Sequence, residues 1–262
     1  MLSKFQSPGD VAFKILDFPV YYYGIIMAFA IFLGFYVTYI LYKKYHDKES
    51  SLILDISPWL IIAGIFGARI YYCIVNFSYY ISSPLEIFNI RQGGLSIHGM
   101  IIVGFLALVF CAKKYRVTFL KLTDVFLCGT ALAQSIGRWG NFFNSEAFGY
   151  PCNLPWKLYI PFLHRPAEYV NFEYFHPTFL YESILDFFIF IILLCLFKRF
   201  TNNPGIITAL YLVLYSIARI FVESFRIDSV LNIAGIPIAQ ITSFIILIAG
   251  ICLLIYKFKT DI

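Results

Sequence analysis

The stretch "SIGRWGNFFNSEAFG", residues 135–149, sets Arg138, Asn141, Asn144 and Glu146 among three glycines at the end of a long apolar run. If a helix continues past Gly137, Arg138 and Asn141 share one face. The glycines then let the backbone turn and bring Asn144 and Glu146 alongside. A guanidinium is a planar, permanently charged fork for phosphate or carboxylate. With amide donors beside it and a carboxylate to orient it, the stretch has the makings of an anion clamp. A second set, Arg219, Glu223 and Arg226 in "ARIFVESFR", falls at i, i+4 and i+7 and lines one helix face. Its plainest reading is an ion pair within the helix, and that is compatible with a carboxylate aiming a guanidinium at a ligand. His98, in "RQGGLSIHG", stands at a glycine-flanked helix start and is a candidate general base. Tyr23, in "VYYYG", adds a phenol at the start of the first apolar run.

The elements that must carry these residues are set by composition. The chain has 262 residues, is 60% hydrophobic and only 13% charged, with a mean hydropathy of +0.78. Such a sequence belongs in a bilayer. Seven runs approach the roughly 20 apolar residues that a spanning helix needs: Val20 to Tyr42, Leu52 to Val75, His98 to Ala112, Phe119 to Gly137, Phe179 to Phe197, Gly205 to Val222, and Ile236 to Tyr256. The expected fold is therefore an all-α integral membrane protein, a bundle of about seven transmembrane helices with a polar cavity at its outer face. Residues 1–262 read as one polytopic membrane domain, with 1–19 an extracytoplasmic N-terminal segment and 138–178 a small extracytoplasmic loop region. The first run is too long for the apolar core of a signal peptide and is expected to be retained.

Charge fixes the expected orientation. Lys43, Lys44 and Lys48, then Lys113, Lys114, Arg116 and Lys121, then Lys198 and Arg199, then Lys257 and Lys259, fall in alternate loops. Positive loops stay in the cytoplasm, which puts the N-terminus outside and the C-terminus inside. This distribution, rather than nucleic acid, accounts for the net charge of +5. Arginine follows a different rule: Arg69, Arg91, Arg138, Arg165, Arg219 and Arg226 lie outside or toward the outer ends of spans. Lysine suffices for topology, so this segregation points to an anionic ligand on the outer side. Snorkelling of single arginines to the interface is the alternative.

With that topology, Tyr23 and Gly24, Arg69, His98, the 137–144 stretch, His176 with Tyr181 and Glu182, and "ARIFVESFR" all share one outer layer. Ionisable groups at membrane depth are costly and usually face a cavity. A polar network that only locks the helices together is the competing reading. Gly129, Ala133 and Gly137 recur every fourth residue and form a stripe for close helix packing. His176 supports the loop before Pro177, and His46 and His164 read as loop residues. Five of the six cysteines fall in or beside apolar runs and behave as small hydrophobes. No CxxC, HExxH, Walker A or GxSxG pattern occurs, so neither a metal nor a cofactor is expected.

Together, "GRWGNFFNSEAFG", "GGLSIHG", "HPTFLYE" and "ARIFVESFR" closely resemble the bacterial prolipoprotein diacylglyceryl transferases. The family's long signature is met at Gly137, Arg138, Gly140, Asn141, Phe142, Asn144, Glu146 and Gly149. Two positions depart from the pattern: Met100 where a second glycine commonly follows the histidine, and Phe179 where glutamine is common. The resemblance implies an enzyme of the bacterial cytoplasmic (inner) membrane. It would move the diacylglyceryl group of phosphatidylglycerol onto the lipobox cysteine of exported preproteins and release glycerol phosphate, the first step of lipoprotein maturation. It implies catalytic roles for His98, Tyr23, Arg138 and Arg219, with either His98 or Tyr23 as the base. Arg138, Asn141, Asn144, Glu146, Gly149, Arg219 and Glu223 would bind the lipid. A transporter that grips an anionic headgroup without chemistry would more naturally show broken helices at the midplane and inverted halves. A purely structural scaffold leaves the arginine segregation unexplained.

Overall fold

A computed structural model describes residues 4–47, 51–90, 93–227, 232–233 and 236–260. Arg91 and Lys48, both weighed above, lie outside them. Seven helices among the described residues are long and apolar enough to cross a membrane: α1 (Tyr22–Tyr45), α2 (Leu52–Val75), α4 (Ile97–Lys114), α5 (Phe119–Phe143), α6 (Thr178–Phe200), α7 (Ile206–Glu223) and α8 (Ile238–Thr260), with a short α3 (Phe77–Ser82) after α2. A helix satisfies its backbone groups internally, which hydrocarbon demands. The all-α expectation needs one addition: three two-stranded antiparallel hairpins, β1–β2 (Val11–Ile15, Phe18–Tyr21), β3–β4 (Leu158–Tyr159, Tyr174–Phe175) and β5–β6 (Asn232–Ile233, Ile236–Pro237). None carries an Asn-Gly or Asp-Gly turn, the strongest local hairpin signal. The β1–β2 turn instead places Leu16 at φ 46° and Asp17 at φ 67°. For leucine that left-handed conformation costs about 1–2 kcal/mol.

The chain divides into two compact units, residues 1–40 with 124–262, and residues 41–123. In the first, α1 and α5 meet glycine to glycine. A Cβ on Gly34 would lie 2.9 Å from the Gly129 carbonyl oxygen and 3.1 Å from the Ala133 Cβ, and one on Gly137 would lie 3.3 Å from the Met27 sulfur. The small-residue stripe is thus the seat of α1. Thr38 Oγ1 seals the contact by donating to Val125 O at 3.3 Å and to Gly34 O in its own helix at 2.9 Å.

Asp124 ties α5 to α7. Its buried carboxylate accepts from Gly205 N and Thr208 N, both at 2.7 Å, and from Thr208 Oγ1 at 2.6 Å. A carboxylate there satisfies orphan N–H groups of α7 and opposes the positive end of its dipole. The helices that carry Arg138 and Arg219 are thereby joined at the ends remote from those arginines. At the other end of α5, an apolar core of Phe142, Ala147, Phe148, Leu158, Ile160, Phe175 and Phe179 joins the 138–178 region to the start of α6. Phe179, where glutamine is common in the family, is fully buried against Phe142, Trp139 and Phe5. It supplies packing at that position.

In the second unit, α2 and α4 approach through Gly67 and Gly99: a Cβ on either would strike the other's carbonyl oxygen. Met100 follows, its Cγ 3.3 Å from where a Cβ on Gly64 would stand. Met100 therefore fills the space above Gly64. Arg69, near the end of α2, is buried and donates to five carbonyls: Glu86, Ile87, Asn89, Gly93 and Gly94. That overturns its reading as an outer ligand-gripping arginine. Arg165 in the first unit is used likewise, on Ile160 O at 2.9 Å and Val170 O at 3.1 Å. Loop carbonyls need donors wherever water is scarce.

Candidate functional site

Helix α5 runs six residues beyond the expected Gly137 and ends at Phe143, so Arg138 and Asn141 do share a helical face. Gly140 is what allows the approach of α1 here. A Cβ on it would stand 2.7 Å from Tyr23 Cδ2, so the phenol ring lies against the bare backbone of α5. Tyr22, one residue earlier, stacks on Phe143 with centroids 4.2 Å apart. These contacts bring Tyr23 within electrostatic range of Arg138 and Glu146.

Past Phe143 the chain turns through Ser145 and Ala147, at φ 54° and 55°. Two left-handed residues flanking Glu146 are a strained arrangement that the surroundings must hold. The hold is visible: Ala147 O accepts from Thr178 Oγ1 at 2.7 Å and from Phe179 N at 3.1 Å. Glu146 is exposed, and its Oε1 accepts from Asn141 Nδ2 at 3.0 Å and Asn144 Nδ2 at 3.2 Å. The carboxylate expected to orient Arg138 is therefore held by the two amides instead.

Arg138 is oriented from α6. Its Nε lies 2.6 Å from Glu182 Oε2 and 3.9 Å from Asp186 Oδ2. Glu182 also receives Arg219, from α7, in a close ion pair, and Arg226 at 3.5 Å. Arg219 pairs in turn with Glu223 at 2.6 Å, the intrahelical pair read from the sequence. Three guanidiniums thus meet three carboxylates at the ends of α5, α6 and α7. Their exposures differ by rank. The arginine side chains are 22%, 16% and 14% exposed, whereas Glu182, Asp186 and Glu223 are 5%, 4% and 2% exposed. The carboxylates are buried as a backing and the guanidiniums stand in front. Further down α7, Tyr211 Oη donates to Gln134 Oε1 at 2.8 Å and its ring stacks on Tyr215.

Gly149 is locked by main-chain contacts. Its N–H donates to His176 O at 2.8 Å, Tyr150 N donates to Phe225 O at 2.9 Å, and a Cβ on Gly149 would collide with Phe225 O. This joins the 145–150 turn to the end of α7 and so to Arg226, its bridge partner. His176 supports the loop as expected: its N–H donates to Tyr150 O at 3.0 Å, and its Nδ1 lies 3.2 Å from Tyr181 Oη. Burial pushes its imidazole below the usual histidine value. His98 is exposed in the first turn of α4, in the second unit, with its ring 5.9 Å from Tyr71.

Tyr23, Arg138, Asn141, Asn144, Glu146, Gly149, Arg219 and Glu223 are therefore gathered within the first unit, while His98 belongs to the second. Glu182 was read as part of the outer polar layer but given no role in the site, and Asp186 was missed. Their signal was present, since two carboxylates four residues apart inside an apolar run share a helix face and demand a partner.

A family model described as prolipoprotein diacylglyceryl transferase matches residues 10–256, a range that holds all of these residues. The chain belongs to that family. Three relatives bear the name phosphatidylglycerol–prolipoprotein diacylglyceryl transferase. The protein from Synechocystis sp. is 43% identical, over 94% of this chain and 88% of its own. That from Nostoc sp. is 46% identical, over 91% and 86%, and that from Synechococcus elongatus is 41% identical, over 97% and 89%. The matched range spans the stretch Gly137–Gly149, the carboxylate backing and His98 alike.

Proposed function

We propose that this family member is a phosphatidylglycerol:prolipoprotein diacylglyceryl transferase, and that the Arg138–Arg219 front is where the donor's phosphate is held. The observation that carries the site assignment is the layering just described, with partly exposed guanidiniums backed by more deeply buried carboxylates. A guanidinium fixed from behind keeps its shape while offering N–H groups forward, so little reorganisation is needed when an anion arrives.

In the reaction the thiol sulfur of the preprotein forms a bond to the lipid's glyceryl carbon. The carbon–oxygen bond to phosphate breaks, the thiol proton passes to a base, and glycerol phosphate departs with the bonding pair. Negative charge grows on the departing phosphate. Arg138 and Arg219 meet that charge, an effect often worth about 3–4 kcal/mol per donor at an enclosed site. Glu146, with Asn141 and Asn144 behind it, faces outward to accept hydrogen bonds from the headgroup's hydroxyls. A free thiol has a pKa of about 8.5 and holds little thiolate at neutral pH. His98 and Tyr23 are the candidate bases. The acceptor is the lipobox cysteine of an exported preprotein, and the site faces the outer leaflet of the bacterial cytoplasmic membrane, with the N-terminus outside and the C-terminus in the cytoplasm. The alternate lysine-rich loops support that orientation.

The test uses purified protein in detergent, phosphatidylglycerol and a lipobox peptide. A gain in peptide mass equal to one diacylglyceryl group, with release of glycerol phosphate, is expected. Arg138→Ala is expected to abolish turnover in a protein that still inserts. Lipid binding with no adduct under these conditions overturns the enzymatic reading, and near-normal turnover of Arg138→Ala removes that residue from the front. His98→Asn separates the two bases: if it keeps most of the rate, Tyr23 takes the proton.

A further inference from the structure

The β1–β2 hairpin has the wrong chemistry for water. Its register pairs Phe13 with Val20 and Ile15 with Phe18, so these four side chains share one face, while Lys14 and Pro19 share the other. Phe13, Ile15 and Leu16 are 51%, 56% and 89% exposed. A two-residue turn in water favours Asn-Gly or Asp-Gly. This one spends left-handed backbone on a leucine, at φ 46°, and sets it at the tip. Strain and apolar exposure at one residue make sense together only if the tip is not in water.

What covers it is given by continuity. β2 ends at Tyr21 and α1, a 24-residue apolar helix, begins at Tyr22 with no linker. The hairpin therefore sits at the mouth of a membrane span, where an apolar face meets acyl chains and a lysine on the opposite face reaches headgroups. Its base is tied to the site. Tyr22 N donates to Asp10 O at 2.9 Å, and the Tyr22 ring stacks on Phe143 next to the Tyr23–Gly140 contact.

We propose that the β1–β2 hairpin is seated in the lipid: its Phe13–Ile15–Leu16 face lies among the acyl chains of the leaflet that holds the donor lipid, and it keeps Tyr23 at headgroup depth. The choice of leaflet rests on the orientation proposed above; the seating does not. Full-length protein in nanodiscs of phosphatidylcholine and phosphatidylglycerol tests it. In Leu16→Trp, the emission added over the unsubstituted protein is expected to be quenched by lipids brominated on their acyl chains and spared by aqueous acrylamide. The reverse pattern overturns the seating. This readout needs no turnover, so it fails or succeeds independently of the transferase assignment. The double variant Leu16→Asn with Asp17→Gly gives the turn its preferred residues and deletes the apolar tip. A role confined to folding predicts unchanged kinetics. Lipid seating that holds Tyr23 predicts a kcat lowered about threefold or more in a protein with an unchanged melting temperature, and an unchanged kcat overturns the link to Tyr23.

Discussion

Glu182→Gln is the substitution that most directly tests the layered site. Glu182 is a buried carboxylate facing Arg138 at 2.6 Å, Arg219 in close contact and Arg226 at 3.5 Å, whereas the ion pair of Asp186 is with Arg138 at 3.9 Å. Two unit charges about 4 Å apart interact by about 4 kcal/mol at an effective dielectric near 20. Much of that attraction is offset by desolvation, yet removing one partner of a buried pair still costs about 3–5 kcal/mol, because the other is left uncompensated. Here three guanidiniums would lose their common anchor and repel one another. If about 3 kcal/mol of the loss appears as misplaced charge in the transition state, the rate falls about 100-fold. Asp186→Asn, losing one longer contact, should cost about tenfold or less. The assay is the initial rate of thioether formation by peptide mass, with thermal unfolding followed in parallel. A folded Glu182→Gln enzyme working near the normal rate, beside a crippled Asp186→Asn, would refute the claim that Glu182 positions the arginine front.

Gly140→Ala should lower kcat about tenfold while leaving the melting temperature nearly unchanged, since its Cβ would displace the Tyr23 ring from 2.7 Å away without touching the main core; unaltered kcat would detach Tyr23 from the chemistry. For His176, burial holds the folded-state value below 6.5, so the unfolded chain takes up a proton first as pH falls. Stability is therefore expected to decline below about pH 6.5, and His176→Phe should flatten that slope in melting curves taken from pH 8 to pH 5. Treatment with EDTA should leave turnover intact, because the arginines supply the positive charge that the leaving phosphate needs. Activity lost to EDTA and restored by a divalent ion would show that they are insufficient.

The spans were legible because each is a continuous apolar run that hydrocarbon allows only as a helix. The signature between Gly137 and Gly149 was legible because a guanidinium, two amides and a carboxylate so close to lipid require a shared purpose. What hid the rest was partner identity. Glu182 and Asp186 sit in α6 with no local mark of the arginines on α5 and α7, so charge pairing across helices had to be seen in three dimensions. The stretch past Gly137 looked like a helix end because glycine weakens helices. Tyr23 packing against Gly140 and Tyr22 against Phe143 carries α5 onward instead. Arg69 looked like the other outer arginines, and only the five carbonyls around it reveal a loop organiser. The β1–β2 turn escaped notice because Leu16–Asp17 lacks turn chemistry.

The glycine seat of α1 on α5 lies about ten residues from Tyr23 on one helix and from Arg138 on the other. Main chain rests on main chain there, and the side chains beside it are short: the Ala133 methyl and the Thr38 hydroxyl that its hydrogen bonds hold in place. The height of the phenol relative to the guanidinium is therefore a property of two backbones, insensitive to ordinary drift in residue size. If the proposed site holds the donor lipid, any accommodation of bulkier or slimmer donors must come from α6 and α7, whose long charged side chains can bend, while the wall formed by α1 and α5 behaves as an anvil.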